Sequence, residues 1–233
     1  LYWSRKKYDD AKKIIKSKKY GQILNLRCLY GKSKILAPYD NRFTGTDDDW
    51  RSKKKLSGGG ILLDQGIHLL DLLRFFNGDF QEYKSFISNK FWNYDVEDNA
   101  FALMRDKNGV IASIHSTATQ WQHKFRIEIT AKYALIELKG ILSGTKSYGA
   151  ETLTIVRADP DNDMGDPTEH VNHFDHNLSW DEEINTFADC ILNGKKVQNG
   201  NSQDALSAMQ HVFKIYFADP TWRETYGILH PDL

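Results

Sequence analysis

Residues 99–139 read NAFALMRDKNGVIASIHSTATQWQHKFRIEITAKYALIELK, and the period of this stretch decides the fold. Apolar and polar side chains alternate over Asn99 to Arg105, Val110 to Thr119, Phe125 to Ala131 and Ala134 to Lys139. That two-residue period belongs to strands with one buried face. Lys107-Asn108-Gly109 between the first two is a hairpin signal. Working outward, Gln81 to Phe91 and Leu153 to Arg157 continue the period, with no helical segment between neighbours. Strands that follow one another directly imply a largely antiparallel sheet with helices on one face and a second face in need of a partner. The flanks supply the helices. Tyr8, Ala11, Ile14 and Ile15 recur at helical spacing within Arg5 to Lys18, and the strand Gln22 to Tyr30 follows. A polar loop from Gly31 to Ser57 leads into a helix that opens at Gly58-Gly59-Gly60 and ends near Asn77-Gly78. After an irregular polar segment, Asp159 to Asn177, two helices close the chain over Trp180 to Leu192 and Ser202 to Phe217. The second should turn Ala205, Leu206, Met209, Val212, Phe213 and Tyr216 inward. The expected class is α+β, in one domain over residues 1–233.

Composition narrows the function. The 233 residues are 40% hydrophobic and 27% charged, ordinary for a globular domain with a substantial core. Lys and Arg together number 31, as do Asp and Glu, so neither a nucleic-acid footprint nor an acidic tail is implied. Basic residues crowd the opening helix, but Asp9 and Asp10 interrupt them and the spacing suits a solvated face. Cys28 and Cys190 lie in apolar periodic segments and read as buried thiols of a reducing compartment, so the cytoplasm is expected. The longest apolar stretch, Ile61 to Leu73, contains Asp64, His68 and Asp71 and is too short and polar to span a bilayer.

Those three residues carry the chemistry. On a helix Asp64 and His68 are four apart and His68 and Asp71 three apart, which places all three on one side of an otherwise apolar element. A carboxylate beside a histidine fixes its tautomer and raises its proton affinity, as a general acid or base near neutral pH requires. Gly66 and the three leading glycines should let a ligand approach the backbone. A self-satisfied polar pair inside the helix explains the same spacing. Metal binding would need a third ligand, and none is implied nearby. The triple glycine lacks the Lys-Ser/Thr of a phosphate loop, and the chain contains no G-x-G-x-x-G. His170, His173 and His176 invite a zinc reading, but they sit among acidic and amide residues and are expected to form a solvated or substrate-side loop.

Gly58-Gly59-Gly60-x3-Asp64-x-Gly66-x-His68-x2-Asp71, preceded by Trp50-Arg51, resembles the signature of the Gfo/Idh/MocA oxidoreductase family. Val96-Glu97-Asp98-Asn99-Ala100 is similar to that family's sheet segment, and Phe187 to Lys195 with Asp204-Ala205 to its closing helices. The resemblance implies its C-terminal domain, a mostly antiparallel open-faced sheet of glyceraldehyde-3-phosphate-dehydrogenase-like fold. It also implies a substrate-binding half of an enzyme that transfers hydride between NAD or NADP and a sugar, cyclitol or sugar nucleotide. By position His68 would be the general acid/base and Asp64 the residue orienting substrate and His68. Asp71 would sit behind them or on the helix surface. Trp50 and Arg51 would stand at the mouth of the site, where an indole can stack and a guanidinium can meet hydroxyls or phosphate, and Gln65 would contact substrate. The loop Tyr39-Asp40-Asn41-Arg42-Phe43 would suit a polar, nucleotide-linked sugar. The bare sheet face would be a homo-oligomer surface.

Neither the dinucleotide-binding half nor its lysine can be located. The chain opens at Leu1 in an amphipathic pattern, as expected of a cut inside a longer protein, and alone it should not turn over. The competing expectation is a non-catalytic sugar-binding or oligomerisation module.

Overall fold

The structure is a computed structural model, and it describes residues 5–33, 50–92, 94–143, 146–159, 167–198 and 200–231. The loop Tyr39 to Phe43 lies outside them. Eight strands form one sheet: β1 (Ile23–Gly31), β2 (Glu82–Ser88), β3 (Asn99–Arg105), β4 (Ile111–Thr117), β5 (Lys124–Ala131), β6 (Ala134–Lys139), β7 (Glu151–Arg157) and β8 (Glu169–Phe174). Their order is β2-β3-β4-β1-β5-β6-β7-β8. Every neighbouring pair is antiparallel except β1 with β4, where Cys28 lies beside Ile114 in a parallel register. The open-faced α+β expectation holds.

The alternating pattern points its apolar set at the helices. Ala100, Ala102 and Met104 of β3 and Ile127 and Ile129 of β5 are buried, while Phe101 and Leu103 between them face outward at 49% and 55% exposure. Over the buried set lie α1 (Arg5–Lys16), α3 (Ile67–Asn77) and α5 (Ser202–Ala218), which bring Tyr8, Leu69, Leu70, Leu73, Phe76, Val212, Ile215 and Tyr216 into one core. Burying side chains of this size contributes about 1.5–3 kcal/mol each. Asn201 caps α5, accepting from the amides of Gln203 and Asp204, and the short α6 (Pro220–Tyr226) follows with Pro at its start and Asp219 as its cap.

The departures have physical causes. The segment expected to be irregular contains β8, whose residues show no apolar alternation because both sides of this edge strand are open to solvent. On α5 the inward residues are Ala208, His211, Val212, Ile215 and Tyr216, whereas Ala205 and Leu206, expected to turn inward, are exposed. The helix α4 (Ser179–Leu192) buries only Ser179, and its apolar stripe Trp180, Ile184, Phe187 and Ile191 faces outward.

Candidate active site

The site grows from the connection between α2 (Lys54–Ser57) and α3. Gly60, Ile61 and Leu62 pass over the fully buried Glu97, whose carboxylate accepts hydrogen bonds from Gly60 N at 2.8 Å, Leu62 N at 2.9 Å and the Tyr216 hydroxyl at 2.6 Å. A Cβ at Gly60 would fall 2.2 Å from the Glu97 carbonyl oxygen. Glycine is therefore required here by packing against Glu97, a reason the sequence did not show. Burial raises the proton affinity of Glu97 and its hydrogen bonds oppose that rise.

The chain then enters α3 through a π turn, Leu62–Gly66. A Cβ at Gly66 would meet Leu62 Cδ1 at 2.8 Å and Ser116 at 3.1 Å, so this glycine lets the turn lie directly on β4. Ser116 Oγ completes the contact by donating to the Ile61 carbonyl at 2.9 Å. Because a π turn carries an extra residue, it rotates the rest of the helix relative to a regular α-helical path. Asp71 faces Arg74, its i+3 neighbour, and feels the charge of Asp204, while Asp64 is not among the groups that shift it. Burial raises its proton affinity, as does Asp204, against Arg74.

Asp64 meets groups far away in sequence. Lys32 Nζ lies 2.7 Å from Asp64 Oδ2, Gln65 Nε2 donates to the same oxygen at 3.0 Å, and Arg51 Nε is 4.0 Å from Oδ1. Lys32 is placed by the end of β1, its amide donating to Thr117 O and its carbonyl accepting from Gln120 N. The Arg51 guanidinium lies 4.5 Å from the Trp50 ring centroid, and Trp50 is half exposed on the turn Trp50–Ser52. The Gln65 Oε1 atom is buried without a hydrogen-bond partner among the described residues.

His68 lies four residues after Asp64, in the first turn of α3. Burial pushes its imidazole down to about 4, Asp64 opposes the shift and Lys32 adds to it. The sequence expectation of a raised proton affinity is thus reversed. Spacing revealed the carboxylate, but neither the depth of the imidazole nor the lysine that offsets the carboxylate. Beyond Lys32, Tyr30 packs edge-on to Tyr148 at 5.6 Å and Tyr148 lies 5.1 Å from the His123 ring. His123 hydrogen-bonds Ser33 at 3.2 Å and Ser147 at 3.1 Å. Burial pushes the Tyr148 hydroxyl up to about 12. The sequence reading missed Lys32, Tyr30, His123 and Tyr148. The one signal available was a lysine and an aromatic flanking the end of a strand.

Among the described residues no three His, Cys, Asp or Glu side chains are grouped to hold a metal, and His170 and His173 lie along the exposed β8. For a nicotinamide the residues fit at the reacting end only. A neutral imidazole, a cation-bound carboxylate and an unsatisfied amide oxygen stand together, while the chain has no glycine fingerprint to cradle a pyrophosphate. Among the described residues no helix is long and apolar enough to cross a membrane.

The family model for the GFO/IDH/MocA C-terminal domain matches residues 8–137. No curated protein sequence matches the chain. Solved structures share its fold. Levoglucosan dehydrogenase in complex with NADH and levoglucosan superposes with a TM-score of 0.69 at 19% identity, over 89% of this chain and 59% of that one. The aldose-aldose oxidoreductase from Caulobacter crescentus gives 0.71 at 20% identity, over 94% and 58%. The WlbA dehydrogenase from Bordetella pertussis, bound to NADH and UDP-GlcNAcA, gives 0.68 at 16% identity, over 94% and 59%. The chain therefore spans about three fifths of the length of the structures it matches.

Proposed function

This chain belongs to the GFO/IDH/MocA family, whose C-terminal domain it matches over residues 8–137, and we propose that it is the substrate-binding half of a nicotinamide-dependent oxidoreductase. The substrate class is a sugar, cyclitol or sugar nucleotide, in keeping with the levoglucosan and UDP-GlcNAcA bound by structures of the same fold. The observation that carries the reading is the pairing, across the junction of the π turn with α3, of a half-buried imidazole kept neutral by its surroundings with a cation-held carboxylate.

A neutral His68 accepts the proton of a substrate hydroxyl as that carbon is oxidised, and returns it in the reverse direction. Asp64, gripped by Lys32 and Gln65, accepts hydrogen bonds from neighbouring hydroxyls and so orients the sugar. Trp50 and Arg51 form the mouth, an aromatic platform under a guanidinium. NAD or NADP, when bound, supplies the hydride acceptor or donor. The dinucleotide would be held by a part of the matched architecture that this chain does not include, so the chain alone would bind substrate without turnover. A buried free thiol at Cys28 accords with the cytoplasm.

The bare sheet face favours a second, compatible role. Phe86 at 80% exposure, Phe101, Leu103 and Ile111 form an apolar patch of a kind that soluble monomers seldom leave open, which fits a homo-oligomer contact. That contact alone would make the chain an assembly module.

The test is nicotinamide reduction by the full-length protein across a panel of sugars, wild type against His68→Ala. The variant should lose roughly 100-fold or more in turnover while still binding sugar. Undiminished turnover in the variant, or no nicotinamide binding by the full-length protein, would defeat the reading.

A further inference from the structure

We infer that Lys32 is a positioning residue of this site: its ammonium fixes the Asp64 carboxylate and offsets that carboxylate's charge toward His68. The inference rests on the reading of His68 as the acid/base. The geometry is specific. Lys32 Nζ lies 2.7 Å from Asp64 Oδ2, with the two side chains 16% and 27% exposed, so the pair is shielded from much of the solvent screening that weakens surface pairs. The residue's backbone is fixed on both sides, to Thr117 O and Gln120 N, which delivers the ammonium to one place instead of letting it sample the surface.

The chain's amino-terminal charge also lowers His68; among the described side chains, the others around the pair do not supply the same effect. Arg51 approaches the opposite carboxylate oxygen at 4.0 Å, and Gln65 is neutral. Tyr30 and Tyr148 feel the Asp64 charge, and burial holds both phenols in their protonated form. His123, on the far side of Lys32, is driven toward its neutral form by burial and then by Lys32. Among the described residues Lys32 is thus the closest cation to the carboxylate whose charge His68 feels. A bare Asp64 would draw a proton onto the imidazole and leave it unable to accept one from substrate. With Lys32 in place Asp64 keeps its acceptor oxygens for hydroxyls, and His68 stays a neutral base.

The experiment is an NMR pH titration of the histidine side chains in the full-length protein, without sugar or nicotinamide, with His68 assigned by the signal lost in His68→Gln. In Lys32→Met the His68 midpoint should rise from about 4 by about 1 unit or more. Lys32→Arg should return it to the wild-type value. Adding Asp64→Asn to Lys32→Met should remove the rise. An unchanged midpoint in Lys32→Met, or a rise that persists in the double variant, overturns the inference. Should Lys32→Met fail to fold, Lys32→Gln carries the same test: the His68 midpoint must rise, and no change or a fall overturns the inference. These titrations need no turnover, so a protein that proves not to be an oxidoreductase leaves their outcome intact. Conversely, a wrong role for Lys32 leaves the His68→Ala kinetics untouched.

Discussion

Two lysine–carboxylate pairs in this molecule look alike on paper and do different work. Lys7 and Glu151 lie 3.2 Å apart with their side chains 0% and 2% exposed, and Lys32 and Asp64 lie 2.7 Å apart at 16% and 27%. The first joins α1 to β7 inside the core. There Lys7 also donates to the Gly140 carbonyl at 2.9 Å and lies about 5 Å from the rings of Tyr8 and Phe125. Burial drives its ammonium down to about 8, although Glu151 opposes the shift. The second opens onto the candidate site, where its carboxylate retains room for further partners. Burial, more than distance, separates a pair that fastens the fold from one that conditions a neighbour's chemistry.

The sharpest way to break this comparison is to remove one partner of the buried pair. Lys7→Met leaves the Glu151 carboxylate in the core without its cation, and should cost about 3–5 kcal/mol in urea-unfolding free energy. Adding Glu151→Gln should recover part of the loss, because the amide can still accept from the Leu142 amide that Glu151 Oε2 now accepts at 2.9 Å. A Lys7→Met protein as stable as wild type would mean that the pair is not an obligatory fastening.

The same contrast explains what was legible in the sequence. The strands over Asn99 to Lys139 were legible because one face is buried, which forces alternation onto the residues. β8 was not, since a strand exposed on both sides carries no such constraint. That Asp64 and His68 lie close together could be read from helical spacing, whereas Trp50-Arg51 was singled out only by the family resemblance. Lys32 could not be read, because it reaches Asp64 only when the end of β1 lies beside the π turn. Spacing showed that Glu97 and Gly60 belong to suggestive motifs but gave no sign that they meet. Their contact depends on the path of the loop between Ser57 and Leu62. The direction of the His68 shift was misread for a related reason: a helical spacing contains the neighbour's charge but not the depth of burial.

That depth gives the second, smaller effect. The folded-state value of His68 is about 4 and its ordinary value 6.5, so between these the unfolded chain binds more protons than the folded one. This contribution is fully present above pH 6.5, falls as pH drops toward 4 and is flat below. It should amount to about 3 kcal/mol. Urea unfolding at a series of pH values should show this slope in wild type and not in His68→Gln. A slope that survives the substitution would assign the acid sensitivity to another group.

The smallest effect belongs to the exposed member of the series, Lys195 with Asp189. Their separation of 2.8 Å is nearly that of Lys32 with Asp64, yet the side chains are 61% and 42% exposed. Proximity to Lys195 and a hydrogen bond from Asn193 at 2.6 Å hold the Asp189 carboxyl below its usual range. In open solvent such a pair gains little beyond what water already provides, and ordering a long lysine side chain offsets that gain. Asp189 also lies in the last turn of α4, where the helix dipole disfavours a negative charge. Asp189→Asn removes the pair and that repulsion together. Its thermal midpoint should therefore match wild type at low salt and at high salt alike. A loss approaching that of Lys7→Met would show that separation alone governs these pairs, and the argument from burial would fail for Lys32 as well.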